Sequence, residues 1–576
     1  MVRRIVALLV ALAPLLPLPA QSRYVSDTAG APVKWEGWGT RAIERSRNEK
    51  RPIFLSIGYA SSYPSFMMQR EAFLNGEVAE TLNAYYVPTL LDRLEYPEVA
   101  QAYESIARSM NVSTESPVLM ILTPSLEPFA VSGYLGTSDL GRALVINANR
   151  WAKERDKVIA EAHQIVLKAR TSMAPPPPAA SLQVDELKKI ALTATRDQLG
   201  GGFHRPTGFE KMLDDQALYA IAYLEAWQKT RDPELEQLAR STLDAALRDL
   251  RPPRGAFDAS QDAHSLVPAQ GPEFWNGAFY VWEKDEISRL LGQEGALKIF
   301  RLYDMKAGER NVLAVKDAVA LKDPALPPLL AKMLDLRQKR PQPFRESNTI
   351  SGLNGLMISA MSRAGAVLGE RTYIDAATIA ALTVTKNLWN AQKKTLLHSA
   401  GVAANANDYA MLTQGLLDLF EASYDPRWLD LAVALQQKQD QLFWDERSAR
   451  YTTGASVPEI VRGLETPFDR TISDRNMFRL AMLTGDAAWR SRSAHIALNG
   501  TPKVSVVVGD PRKKVTFDTL HAIHERWEPL RFVLFVPGKG VARDRMTRAI
   551  PFTAALVADP ENPVTYECMN GQCVRR

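Results

Sequence analysis

Four consecutive prolines at 175–178 divide this chain into two stretches with different hydrophobic periods. A proline run is stiff and extended and lacks backbone donors, so neither a helix nor a sheet continues through it. Before it, residues 33 to about 155 alternate strand-like and helix-like pieces. "PIFLSI", "YVPTLLDR" and "SPVLMILTP" read as buried strands and "EPFAVSGYL" as an edge strand. "EVAETLNAYY" and "PEVAQAYESIARSM" read as helices, and a last helix is expected from about Ser138 to Lys168. This order predicts an α/β sheet. After the prolines, from about Leu182 to Ala497, apolar residues recur at three and four in paired segments such as "DYAMLTQGLLDLFEAS" and "PRWLDLAVALQQKQDQLFW". Helical hairpins separated by short loops ("GAFDAS", "FWDERSARY") predict an (α/α) toroid, its concave centre lined by loop residues and helix N-termini. The expected fold class is multidomain, α/β plus all-α. Its pieces are an α/β domain over 21–172, a linker over 173–181, a helical toroid over 182–500 and a small α/β region over 501–576.

At 576 residues the chain exceeds a single ordinary core, in keeping with several domains. The formal net charge of +5, evenly spread, gives no ground for a nucleic-acid partner. The opening "MVRRIVALLVALAPLLPLPAQS" has two arginines, a proline-broken apolar stretch and a small residue at Ala20, the pattern of a secretory signal over 1–20. A periplasmic or secreted protein is expected, an uncleaved anchor being the alternative. No other stretch approaches the roughly 20 apolar residues a spanning helix requires, so no stable membrane insertion is expected after cleavage. The two cysteines, Cys568 and Cys573, flank Asn570-Gly571, the favoured centre of a two-residue hairpin turn. Counting outward places them opposite one another in a non-hydrogen-bonded pair, where a structural disulfide is geometrically plausible. Two free thiols in a loose tail are the alternative.

The stretch "SIGYASSYPSFMMQREAF", residues 56–73, runs from strand through turn to helix. Together with "WEGW", "KRPIFLSIGY", "VAETLNAYYV", "DRLEYPEV" and "SPVLMILTPSLEPF", and with "DQLGGGFHR", "FEKML", "GAFYVW", "NGLMI" and "LFWDE" further on, it resembles the thioredoxin-domain family typified by spermatogenesis-associated protein 20. The resemblance covers nearly the whole mature chain. It implies a thioredoxin-like domain fused to an (α/α) toroid of the kind found in sugar epimerases and glycosidases, six-hairpin-like and here possibly shortened. The departures bear on function. Where the family's turn reads roughly Cys-His-Trp-Cys-His, this chain has Ser62, Tyr63, Pro64, Ser65 and Phe66. A thiolate attacks disulfides and a serine hydroxyl does not, so thiol exchange at this degenerate redox site is excluded. Pro117 stands where the fold's cis-proline faces the active site, so either peptide docking or a pure scaffold role is implied. Gly208 takes the place of a family histidine, and Gln261 and His264 replace a glutamate and an aspartate.

The groups left to carry chemistry in the cleft are His204, Arg205, Glu210, Lys211, Asp258, Asp262, His264, Asp408 and Asp469. Sugar chemistry in a toroid needs acid and base groups facing each other across a cavity, and Asp262, Asp408 and His204 are the candidates. Each has a plainer reading: Asp408 as a helix cap, Glu210 and Lys211 as ions holding hairpins together. Asp258, Asp262 and His264 are potential oxygen and nitrogen ligands, but loop aspartates beside Gly and Ser serve more often as turn formers, so neither a metal site nor a cofactor is assigned. "HAIHE" at 521–525 fits no zinc signature, and "LGGGFHRPTG" follows a helix, which disfavours a phosphate cradle. Trp275, Tyr280 and Trp282 read as core rather than as sugar-stacking rings. The leading expectation is a non-redox exported protein that binds a small molecule, carbohydrate or peptide-like ligand in the toroid cleft. The alternatives are a sugar-modifying isomerase or hydrolase, and a thiol–disulfide protein using Cys568 and Cys573.

Overall fold

The computed structural model describes residues 22–172, residues 184–493 apart from 206–207, 268–272, 424, 453, 455–456, 465–470 and 485, and the segments 532–534, 566–569 and 572–575. The signal segment, the proline linker, Asp469 and most of the C-terminal region lie outside the described residues.

The first domain is built on five strands: β1 Glu36–Gly37, β2 Ile53–Gly58, β3 Val87–Asp92, β4 Val118–Leu122 and β5 Pro128–Ser132, in the order β1-β3-β2-β4-β5. β3 runs parallel to both β1 and β2, and β4 and β5 are antiparallel. Every residue of β2, β3 and β4 is buried, which is why these segments read as unbroken apolar runs rather than as alternation. Helices α1 Arg23–Ser26, α2 Thr40–Glu49, α3 Tyr63–Arg70, α4 Gly76–Tyr85, α5 Pro97–Ser109, α6 Thr137–Lys153 and α7 Arg155–Ser172 surround the sheet. The peptide bond Ser116–Pro117 is cis. This is the thioredoxin-like arrangement, with α3 starting just past the end of β2. The single closing helix expected from Ser138 to Lys168 is two helices. Glu154 breaks it at φ −130° and ψ 34°, and the two halves pack on different partners, α6 on α4 and α7 on β5 and α5.

The second domain is a set of helical hairpins. After α8 Val184–Leu192, α9 Leu213–Thr230 pairs with α10 Pro233–Asp249, α11 Lys284–Leu302 with α12 Leu326–Gln338, and α13 Ser351–Leu368 with α14 Arg371–Leu388. Then α15 Ala406–Ser423 pairs with α16 Pro426–Phe443, and α17 Thr471–Thr484 with α18 Ala487–Arg492. The inner helices α9, α13, α15 and α17 pack in succession and form an (α/α) toroid-type array, with α10, α14 and α16 outside. Local chemistry marks the ends. Asp232 and Asp425 cap α10 and α16, each followed by proline at the first helical position, and Gly369 closes α13 at φ 70°. At the tightest crossing a Cβ on Gly355 would stand 2.5 Å from Leu412 N, so backbone meets backbone between α13 and α15.

Short strands join the hairpins at the N-terminal end of the inner helices: β6 Lys211–Met212, β7 Ser260–Gln261, β8 His264–Val267, β9 Glu273–Asn276 and β10 Arg345–Glu346. β10, β7 and β6 form one small sheet, and β8 with β9 a hairpin. Trp282 and Tyr280 are core residues, as their loop spacing predicts, but Trp275 is not: it is half-buried on β9, its indole N–H donating to Glu273. In the C-terminal region, Cys568 faces Cys573 and Met569 faces Gln572 in paired strands, the register that Asn570-Gly571 predicts. Among the described residues no helix is long and apolar enough to cross a membrane.

Candidate functional site

The turn after β2 does not open to solvent. Ser62 is only 4% exposed and Ser65 fully buried. The Ser62 side chain accepts the Ser65 N–H as the cap of α3 and donates to the carbonyl of Ser116, both at 3.4 Å. The toroid covers them. Ala263 N donates to Ser61 O at 3.0 Å, and the Ser61 and Ser260 hydroxyls meet at 2.5 Å. Phe66, in the last place of the motif, stacks on His264 with ring centroids 3.8 Å apart. A peptide reaching this turn must therefore first displace the segment around β7 and β8.

Polar side chains of the two domains meet along the rest of this junction. Tyr59 donates to Glu210 at 2.7 Å, and Arg23 grips Asp262 with two bonds of 3.0 and 3.1 Å. Asn348 donates to Glu95 at 3.0 Å. His398 reaches the carbonyl of Leu94 at 2.7 Å with one nitrogen and the Asp408 carboxylate at 2.8 and 2.9 Å with the other. Burial opposes the charge on His398, but the Asp408 carboxylate and these bonds raise it to about 9. With both N–H groups donating, His398 is a clamp between the domains.

Four acids occupy the same junction: Asp92 at the end of β3, Glu95 just beyond it, Glu346 on β10, and Asp262 after β7. Burial pushes Asp92 and Asp262 to about 6, Glu95 to about 7 with Asp92 adding to the effect, and Glu346 to about 8. Two cations face them: Arg23 pulls on Asp262 and Glu346, and His398 on Asp92 and Glu95. Glu346 is 1% exposed, and among the described residues its Oε2 has no hydrogen-bond partner. An unsatisfied buried carboxylate oxygen is costly, and such groups concentrate at functional sites. On the other flank of the junction Asp215, at the start of α9, is raised to about 6 by burial and by its neighbour Asp214, while Arg205 bonds it at 3.2 Å.

The sequence candidates fall into three situations. Asp262 and Glu210 tie the toroid to the first domain, as above. Gly208 explains part of this: a Cβ there would collide with the Glu210 carboxylate, so the missing side chain leaves room for Glu210 to reach Tyr59. Asp408, His204, Lys211 and Asp258 are held within the toroid. Asp408 and Asn405 cap one another's backbone N–H at 3.0 and 3.1 Å, and Asp408 also accepts Gly352 N at 3.1 Å. His204 bonds the Phe209 carbonyl at 2.8 Å, and burial plus nearby Lys211 depress it to about 4. Lys211, 1% exposed, reaches Asp197, Asp249 and the Gly201 carbonyl at 2.9 to 3.0 Å. Glu210 and Lys211 thus serve different partners instead of each other. Asp258 pairs with Arg254 and, at 3.4 Å, with Arg345. His264 is buried and, among the described residues, neither nitrogen is hydrogen-bonded; its Nε2 lies 3.6 Å from Asp262, and burial lowers it to about 3. Asp262 and Asp408 share no hydrogen bond or ion pair among the described residues. The glycine run packs rather than binds: Gly201 and Gly202 sit at φ 76° and 78°, Gly201 against the Ser241 carbonyl.

Sequence reasoning missed Asp92, Glu95, Glu346, His398 and Arg23, because their significance depends on which domain faces them. It also missed an ionic network inside the toroid. Arg363 on α13 bonds Glu225 on α9 and Asp418 on α15, each at 3.0 Å, and Arg479 on α17 bonds Asp418 at 2.9 Å and pairs with Glu421. The signal was available: a single charge within "MISAMSRAGAV" and another within "GLLDLF", each in an apolar inner helix. Among the described residues no three His, Cys, Asp or Glu side chains are arranged to hold a metal ion.

Comparison with known proteins agrees with this layout. A family model described as "Protein of unknown function, DUF255" (Thioredox_DsbH) matches residues 18–170. Spermatogenesis-associated protein 20 of Homo sapiens is 27% identical over 706 aligned residues, covering 96% of this chain and 89% of that protein. An uncharacterized protein of Caenorhabditis elegans is 24% identical, covering 96% of this chain and 95% of its own. Among solved structures, unsaturated glucuronyl hydrolase from Bacillus sp. GL1 (13% identity, 57% of this chain, 68% of that one, TM-score 0.30) and cellobiose 2-epimerase from Bacillus thermoamylovorans B4167 (10%, 54%, 68%, 0.30) are similar. Likeness at such scores carries no argument, and the helical architecture stands on the packing described above. A thioredoxin order of strands, a cis-proline opposite the motif turn and similarity along nearly the full chain agree: the chain is similar to the thioredoxin-domain proteins typified by spermatogenesis-associated protein 20, with Ser62 and Ser65 at the turn.

Proposed function

We propose that this chain is an exported, thiol-independent binding protein whose ligand site is the junction between its two domains, and that its ligand is a carbohydrate or peptide-like molecule. The observation that carries the reading is Glu346. A junction that served only to hold domains together would have no use for a buried acid with an oxygen unpaired, beside three more carboxylates and one shared guanidinium. A ligand rich in hydroxyl or N–H donors would satisfy these oxygens. Binding requires the junction to part, and the ionic, hydrogen-bonded character of the contact supports that: such contacts exchange for water more readily than apolar ones.

The test pairs stability with binding. Glu346→Gln keeps the volume and removes a group that must hold its proton to stay buried, so the free protein should melt at a higher temperature than wild type at and above about pH 8. Screened by thermal shift against neutral sugars, amino sugars and short peptides, wild type should be stabilised by one class through mass action, and Glu346→Gln should lose that shift. A variant that is less stable, together with no stabilising compound, would return Glu346 to a structural role.

A second reading, a sugar-modifying enzyme, draws support from the spread between Asp92 at about 6 and Glu346 at about 8. At neutral pH one is ionised and the other protonated, the division of labour that general base and acid require. On that reading the proton-moving roles move from Asp408 and His204, whose polar atoms are already engaged, to Asp92 and Glu346, with Asp262 orienting Arg23. Turnover of any sugar found in the screen, abolished in Asp92→Asn with the melting temperature kept, is its expected signature.

A further inference from the structure

The charges of the junction do not balance, and the imbalance bears on what a ligand there must carry. Two cations stand among the acids, and each is already bonded to one carboxylate. Arg23 holds Asp262 at 3.0 and 3.1 Å, and His398 holds Asp408 at 2.8 and 2.9 Å. Two neighbouring guanidiniums are engaged elsewhere, Arg93 with Glu104 at 3.3 Å and Arg345 with Asp258 at 3.4 Å. Asp92, Glu95 and Glu346 are left, and among the described residues none of them forms an ion pair. Asp92 and Glu346 are each 1% exposed. One oxygen of each accepts a backbone N–H, from Leu94 at 2.7 Å and from Asn348 at 3.4 Å. The second oxygens, Oδ2 of Asp92 and Oε2 of Glu346, have no hydrogen-bond partner among the described residues. Asp92 stands close to both other acids: after burial, its charge is what most raises Glu346 and Glu95.

We propose that the group recognised at the junction is a primary ammonium, carried by an amino sugar or by a peptide; this rests on the reading of the junction as a ligand site. A neutral hydroxyl would fill the unpaired oxygens without offsetting their charge, and a carboxylate would add to the excess. An ammonium brings three donors and a positive charge to one point. Two of those donors suit Asp92 Oδ2 and Glu346 Oε2, with Glu95 beside them. A guanidinium fits less well, because its planar fork matches both oxygens of one carboxylate and each carboxylate here has a single oxygen to give. A metal ion fits less well too, since among the described residues no three His, Cys, Asp or Glu groups are arranged to hold one.

The experiment uses the full mature chain and probes that differ in charge: glucosamine against N-acetylglucosamine, and Nα-acetyl-lysinamide against its Nε-acetylated form. In thermal shift at pH 7, glucosamine or the lysine amide should stabilise the wild type and neither acetylated partner should. Which of the two binds identifies the source of the ammonium. Asp92→Asn and Glu346→Gln should each weaken the affinity about tenfold, the loss of one charge-assisted bond. Glu77→Gln, an exposed acid on α4, should bind as wild type does. Calorimetry on the wild type needs no variant. Glu346, held at about 8, and Glu95, at about 7, carry protons near neutrality, and a bound cation favours their ionised forms. Of the charged groups facing them, Arg23 and His398 stay protonated at pH 7, while Asp92 and Asp262, at about 6, are already largely ionised. Binding at pH 7 should therefore release about one proton, read from the heats in two buffers of different ionisation enthalpy. Equal stabilisation by the acetylated probes, unchanged affinity in both junction variants, an equal loss in Glu77→Gln, or binding without proton release would each overturn the ammonium and leave the junction as a ligand site. No shift with any sugar or peptide, charged or neutral, would remove both readings.

Discussion

Ser62 and Ser65 show how much one atom decides. The backbone around them keeps the shape of a redox turn, with Ser62 capping α3 and a cis-proline opposite, yet oxygen at these positions neither ionises near neutral pH nor forms a mixed disulfide. The structure adds a second barrier, because the toroid covers both hydroxyls. Restoring sulfur should therefore not restore chemistry. In a Ser62→Cys/Ser65→Cys variant, with Cys568 and Cys573 replaced by serine, alkylation by iodoacetamide should run at least about tenfold slower in the native state than after unfolding. Equal rates would mean that the turn is open in solution. Lys211 makes the opposite point, as a buried charge held by partners. Burial alone would raise Asp197, but Arg337 and Lys211 hold it well below the usual carboxylate range. Lys211→Met strips one cation from Asp197 and Asp249, and should cost about 3–5 kcal/mol in urea unfolding, as loss of one partner from a buried pair does. A loss below about 1 kcal/mol would show that Arg337 suffices.

Among the elements, α13 and α15 matter most to the toroid. Gly355 and Gly415 let the two backbones touch, the ideal Cβ of Gly415 falling on the Gly355 carbonyl. Gly355→Ala raises helix propensity by up to about 1 kcal/mol, but the clash with backbone cannot be relieved by a rotamer. The expected net result is a destabilisation of about 2 kcal/mol or more by chemical denaturation. A neutral or stabilising outcome would mean the helices slide apart at little cost. Periodicity made these helices legible in the sequence because each buries one face on the same core. The break at Glu154 was not legible, because it comes from α6 and α7 packing on different partners and no helix-breaking residue marks it.

At the scale of the whole molecule, the junction makes stability depend on pH from both sides. Glu346, Glu95 and Asp92 release their protons in the unfolded chain near ordinary carboxylate values but hold them to about 8, 7 and 6 when folded. Their contribution is whole below pH 4 and is gone by about 8. His398 adds stability that is whole below its ordinary value of 6.5 and is lost as pH rises through about 9. His204 and His264 act in reverse: depressed to about 4 and 3, they give stability present above 6.5 and lost as pH falls towards those values. Three raised acids outweigh two depressed histidines from about pH 4 upward, so the melting temperature should be highest at about pH 4 and decline towards pH 9. Glu346→Gln should flatten the fall between pH 6 and 8, and His398→Gln the fall above pH 7. Identical slopes in all three proteins would show that these groups do not titrate with folding.

From the sequence by itself came the change of hydrophobic period across the prolines, the strand and helix periods, the hairpin register at Cys568 and Cys573, and hydroxyls in place of thiols at Ser62 and Ser65. All of these are local: they follow from spacing, propensity and the chemistry of one side chain. The tertiary structure alone decided that the motif turn faces the toroid, that Glu346 stands beside Asp92, that His398 joins Asp408 to the carbonyl of Leu94, and that Phe66 stacks on His264. The physical reason is that a buried charge takes its meaning from its surroundings. Those surroundings are assembled from segments far apart in the chain, as Asn348 with Glu95, 253 positions away, and Arg23 with Arg345, 322 away, and no local pattern records them.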